Sequence, residues 1–219
     1  MTQLRTMFAK APVVPVIAID DIDNAVPLAK ALIAGGIPVL EVTLRTQYGL
    51  EAIRRIKAEV EGAIVGVGTV VNCDDLQASV EAGSEFIITP GLTDELLAAG
   101  LDCGIPFMPA IATVSDLMRC LNKGLDTLKF FPAEAMGGVK TLKAFAGPFP
   151  QVGFCPTGGI GLNNVADYLA LPSVLTVGGS WVCPNQLIVQ KNWAAITQLA
   201  QDATDLIERL RNTSKTISI

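Results

Sequence analysis

The chain has 219 residues, half of them hydrophobic, with 17% charged and a net charge of −5. That length suits one domain with a substantial core, and the acidic balance, without any basic run, excludes a general nucleic-acid surface. Histidine is absent, which removes His-ligated metal sites, Ser-His and Cys-His nucleophile systems and a histidine general base.

Residues 1–10 are polar and carry no signal-peptide core; a short helix is expected there. The run 11–19, with two prolines and then Asp20-Asp21, reads as the first strand of the mature protein. Strands are predicted over 13–19, 39–44, 64–70, 86–90, 106–111, 127–132, 152–157 and 174–178. Helical periodicity falls between them, over 24–34, 48–60, 74–82, 94–100, 114–121, 138–146 and 163–169, and in a long last helix near 193–211. Asn24, Thr93 and Ser115 suit helix starts, and Gly35, Gly83, Gly100 and Gly124 suit helix ends. Strand–helix units recurring about every 20 to 25 residues predict a (β/α)8 TIM barrel over 1–219, with a polar tail that frays after Arg211. A doubly wound open sheet is the rival, but no G-x-G-x-x-G follows the first strand, and Gly66-Val67-Gly68 lies inside a strand. No apolar run reaches the ~18 residues of a membrane span. Cys73, Cys103, Cys120, Cys155 and Cys183 are widely spaced, odd in number and form no C-x-x-C pair, as expected of reduced cytoplasmic thiols packed as small hydrophobes.

Alternation along the second strand puts Leu40, Val42 and Leu44 on one face and Glu41, Thr43 and Arg45 on the other. Glu41 therefore points into the barrel, and Arg45 lies about 13 Å further along, near the mouth. In the sixth strand Lys129 shares its face with Thr127 and Phe131, among apolar neighbours. Burial disfavours the charged form of an amine and frees it as a nucleophile toward carbonyl carbon. A strand lysine is more often a rim residue or half of an ion pair, and Glu41 suits that bland role as well. Polar residues on the inward face of two strands are harder to explain by packing alone. Thr157-Gly158-Gly159-Ile160 and Gly178-Gly179-Ser180 then place glycine pairs just past the seventh and eighth strands, where barrels commonly hold phosphate.

These segments resemble the 2-keto-3-deoxy-6-phosphogluconate (KDPG) aldolases, the class I family that also cleaves 4-hydroxy-2-oxoglutarate. The resemblance runs from about Val13 to Trp181. It rests on 39–45, Gly66-Val67-Gly68-Thr69-Val70, Ile88-Thr89-Pro90-Gly91, 129–134, 156–160 and Gly178-Gly179-Ser180-Trp181. It implies a (β/α)8 barrel assembled as a homotrimer, which cleaves KDPG to pyruvate and glyceraldehyde 3-phosphate with no cofactor and no metal. By position, Lys129 corresponds to the imine-forming lysine and Glu41 to the acid–base carboxylate. Arg45 and Thr69 match residues that hold the substrate carboxylate, Pro90 and Phe131 line the pocket, and Thr157, Gly158, Gly159, Gly179 and Ser180 match the sugar and phosphate end. Met136 stands where the resemblance implies a polar residue such as asparagine, which bears on substrate preference rather than reaction class. The rivals are an aldolase preferring the galactonate epimer or 4-hydroxy-2-oxoglutarate, and a phosphosugar-binding barrel in which Lys129 and Glu41 form only a buried ion pair.

Overall fold

The computed structural model describes residues 3–216. An amphipathic helix α1 (Gln3–Lys10) precedes strand β1 (Val14–Ile17), after which helices and strands alternate. The order continues α2 (Ala25–Ala34), β2 (Val39–Thr43), α3 (Gly49–Glu59), β3 (Ile64–Gly68), α4 (Cys73–Glu81), β4 (Ile87–Ile88) and α5 (Asp94–Asp102). Then come β5 (Phe107–Met108), β6 (Ala110–Ile111), α6 (Val114–Asn122), β7 (Thr127–Phe130), α7 (Gly138–Ala146), β8 (Gly153–Pro156) and α8 (Val165–Leu169). The chain ends with β9 (Gly178–Gly179), α9 (Asn185–Val189) and α10 (Trp193–Thr216).

Every strand pairing is parallel, as expected where each strand returns through a helix. The strands form a six-stranded sheet, β5-β4-β3-β2-β1-β9, and a three-stranded sheet, β6-β7-β8. The parallel α/β order matches expectation, while the strand anticipated over 106–111 is divided at Pro109, which has no N–H to give to a ladder. The strand expected over 174–178 is reduced to β9 and a single bridge from Val174 to Phe154. Helix α9 was not anticipated, and the last helix continues past Arg211 to Thr216. Among the described residues no helix is long and apolar enough to cross a membrane.

Capping follows local chemistry. Thr93 caps α5 as expected, its hydroxyl accepting from the Leu96 N–H. The cap on α6 is Thr113 rather than Ser115, because Thr113 and Asp116 form a reciprocal capping box. Asn24 stands at the start of α2 but its side chain makes no cap bond.

Alternation sorts the core into two clusters. Leu40, Val42, Leu128 and Phe130 face the helices and pack with Leu28 and Ile53. The opposite faces bring together Val14, Val39, Phe86, Ile88, Met108 and Cys155, covered by Leu4 and Phe8 of α1, with Phe8 edge-on to Phe86 at 5.4 Å. All five cysteines are free, and burial pushes the Cys120 and Cys183 thiols up to about 12.

The two glycines of β3 make room on this inner face. A Cβ on Gly66 would lie 2.4 Å from the Phe86 ring, and one on Gly68 would lie 2.2 Å from Glu41 Oε1. Gly66→Ala is therefore expected to overpack a rigid core and lower stability by about 1–3 kcal/mol. A lower urea midpoint with unchanged m would show it; an unchanged midpoint would mean that the ring can move aside.

Candidate active site

Lys129 lies in the middle of β7, in register with Ala110 of β6 and Cys155 of β8. Glu41 lies in the middle of β2, between Val16 of β1 and Gly66 of β3. The two strands belong to different sheets, yet both side chains point to the shared inner face. Lys129 Nζ donates to Glu41 Oε1 at 3.0 Å, with the side chains 5% and 2% exposed. The ion pair thus bridges the space between the sheets.

The surroundings fix this pair on several sides. Gly68 supplies the gap that Glu41 occupies. Lys129 Nζ also sits 5.5 Å from the centre of the Phe131 ring, within cation–π range. Cys155 is 2% exposed, and its thiol is pushed up to about 12, chiefly by burial, with the Lys129 charge opposing and the Glu41 charge adding. It is a neutral, polarisable wall beside the amine. Sequence reasoning placed Cys155 among the packing thiols, and only the β7–β8 register shows it beside Lys129.

Above Phe131 opens a cavity of about 230 Å³. Arg45, from the turn after β2, and Phe131 line one part of it. Thr157, Gly158 and Gly159, just past β8, line another, and Gly179 and Ser180 at β9 complete it. Seven of the anticipated residues are brought together here, Arg45 being the exposed cation at the rim. Ile160 and Gly178, from the same two glycine-pair motifs, also line the cavity, together with Val16 of β1, which carries no sequence signal for the site. Gly178 leaves the space that the Thr157 side chain fills, since a Cβ there would lie 2.2 Å from Thr157 Oγ1.

Thr69 and Pro90 do not line this cavity. Pro90 lines a separate cleft with Val70, Val71, Leu92 and Thr93. Thr69 directly follows Gly68 and holds a left-handed backbone, φ 64°, which costs a β-branched residue about 1–3 kcal/mol. Such strain persists where the surroundings over-determine it, and here it lies beside the Glu41 gap. Met136 is 38% exposed in the turn between β7 and α7. Among the described residues no three His, Cys, Asp or Glu side chains come together in a way that could hold a metal ion.

The family model for KDPG and KHG aldolase matches residues 4–199. The chain belongs to the KDPG and KHG aldolase family. It is thereby a lyase acting on a carbon–carbon bond. The KHG/KDPG aldolase of Escherichia coli K12 is 53% identical over 204 residues, covering 93% of this chain and 96% of that protein. The 2-dehydro-3-deoxy-phosphogluconate aldolase of Dickeya dadantii is 54% identical over 202 residues, 92% of this chain and 95% of that one. Among solved structures, the Legionella pneumophila KDPG aldolase, with pyruvate captured at low pH as a covalent carbinolamine intermediate, matches with a TM-score of 0.90. It is 48% identical, with 92% of this chain and 98% of that chain covered.

Proposed function

We propose that this aldolase cleaves KDPG to pyruvate and glyceraldehyde 3-phosphate through an imine on Lys129. The observation that carries this reading is the buried Lys129–Glu41 pair, set beside a cavity with a cation at one side and two glycine turns at another. Glu41, already the acceptor of the Lys129 hydrogen bond, takes the proton that the amine must shed. The amine then attacks the keto carbon, Glu41 hands its proton to the carbinolamine hydroxyl as that group leaves as water, and the protonated imine so formed serves as the electron sink. Glu41, directly or through one water, removes the proton of the C4 hydroxyl. The C3–C4 electron pair passes into the imine as the bond breaks, releasing glyceraldehyde 3-phosphate and leaving an enamine. A proton returned to C3 and hydrolysis of the imine release pyruvate and restore the amine.

Arg45 is the natural partner of the substrate carboxylate, since its fork donates two parallel hydrogen bonds. Phe131 bounds the pocket, and Thr157, Gly158, Gly159, Gly179 and Ser180 receive the sugar and phosphate end; the roles of Thr69 at the carboxylate and of Pro90 at the pocket wall rest on the family resemblance alone, since both lie outside the cavity. Backbone N–H groups exposed at glycine turns suit that anion. The same reading makes the two sheets arcs of one closed (β/α)8 barrel, a single domain. Two features support closure: β5 and β6 flank Pro109 as one interrupted strand, and bridges Phe154–Val174 and Thr157–Gly178 join β8 to the segment that ends in β9. A homotrimer follows from the family resemblance, and the five unpaired cysteines suit the cytoplasm.

The test is pyruvate release with EDTA present, run on KDPG, its galactonate epimer and 4-hydroxy-2-oxoglutarate. KDPG is expected to give the highest kcat/KM, undiminished by chelator. Preference for another of the three would reassign the substrate within the class, and failure on all three would leave a phosphosugar-binding protein.

A further inference from the structure

The turn after β8 is held by its carbonyls. The Ala133 N–H donates to the Thr157 carbonyl at 2.8 Å, and the Glu134 N–H donates to the Gly158 carbonyl at 3.1 Å. The Gly159 carbonyl accepts from Asn164 Nδ2 at 3.0 Å. Three consecutive carbonyls are thus occupied by donors outside the cavity. In a trans peptide the next residue's N–H points opposite to the carbonyl, so this arrangement aims the N–H groups of Gly158, Gly159 and Ile160 the other way. Those residues line the cavity, and among the described residues the Gly159 and Ile160 N–H groups have no acceptor within the chain.

Two side-chain devices sustain this orientation. Asn164 works in both directions, because its Oδ1 also accepts from the Gly161 N–H at 2.9 Å. That second bond fixes the amide's orientation, leaving Nδ2 as the group that can face the Gly159 carbonyl. The other device is the hydrogen bond from the wholly buried Tyr168 of α8 to Glu134 Oε1. Glu134 packs flat on the turn, its Cβ and Cγ lying 2.8 and 2.7 Å from where a Gly159 Cβ would sit. Burial, then the hydrogen bond to Glu134, pushes the Tyr168 hydroxyl above the usual phenol range, so it remains a donor. Tied in this way, the Glu134 carboxylate is kept from swinging toward an anion bound at the turn.

We propose that Asn164 and the Tyr168–Glu134 pair are positioning residues that present the 157–160 turn to the phosphate end of the substrate and leave the pyruvate end untouched. This rests on the reading of that turn as the phosphate site. The test compares Asn164→Ala, Asn164→Asp and Tyr168→Phe with the wild type on KDPG and on unphosphorylated 2-keto-3-deoxygluconate. A parallel measurement takes the pyruvate concentration needed for half-maximal borohydride inactivation. Asn164→Asp keeps the acceptor for Gly161 but exchanges the donor for a negative charge, so Tyr168→Phe, which adds no charge, covers the case in which the alanine variant fails to fold. Loss of one positioned hydrogen bond should raise KM for KDPG about tenfold with kcat little changed. KM for the unphosphorylated acid and the pyruvate half-point should stay at wild-type values. Equal losses on both sugar acids, or no change on either, would overturn the proposal while the wild type still prefers the phosphorylated substrate. A wild type indifferent to phosphate would remove the site assignment itself, and this proposal with it.

Discussion

Lys129→Ala should lower kcat on the order of 10⁵-fold or more, because a group that forms the covalent intermediate has no substitute nearby. The same substitution should cost about 3–5 kcal/mol of stability, since it strands the Glu41 carboxylate without its partner in a site only 2% exposed. Inactivity alone would therefore not separate chemistry from folding. The double variant Lys129→Met with Glu41→Met does so: it removes both charges together and fills the space with apolar chains. Its urea midpoint should recover most of the loss while pyruvate release stays absent. Residual turnover in that double variant would place the nucleophile elsewhere.

Glu41→Gln alone should produce a different kind of damage. A positioned acid–base group typically contributes about 10²–10⁴-fold, so kcat should fall within that range. The amine remains on β7 beside Phe131 and Cys155, and condensation with pyruvate needs no C3–C4 bond to break. Pyruvate should still be trapped on this variant by borohydride, more slowly than on the wild type. A variant that cleaves KDPG at the wild-type rate would reduce Glu41 to a structural counter-ion.

How much of this could be read from residues alone follows from the range of the interactions involved. The inward placement of Glu41 and Lys129 follows from period-2 alternation, which is local, and Leu40 and Val42 lie on the helix side as that pattern requires. The 3.0 Å bond between Glu41 and Lys129 joins residues 88 apart in the chain, and alternation gives direction but not distance. Gly66 and Gly68 looked like a weak signal inside a strand. Their meaning is the space they leave for Phe86 and Glu41, which exists only once β3 lies between β2 and β4. Pro109 divides the strand expected over 106–111 into β5 and β6, a break that hydrophobic periodicity alone does not show. Thr69 and Pro90 are site candidates through family resemblance alone, and they lie outside the cavity that Arg45 and Phe131 share. Asn164 left no sequence signal beyond its place after a glycine pair, because a side-chain bond to a carbonyl five residues back depends on the shape of the turn.

The central claim is that the Lys129 amine condenses with the keto group of a pyruvate unit. Borohydride reduction in the presence of pyruvate, followed by peptide mass mapping, tests it most directly. The expected result is one stable adduct per chain, carried by the peptide that contains Lys129 and absent in Lys129→Ala. No adduct on the wild type, or one on a different lysine, would contradict the account.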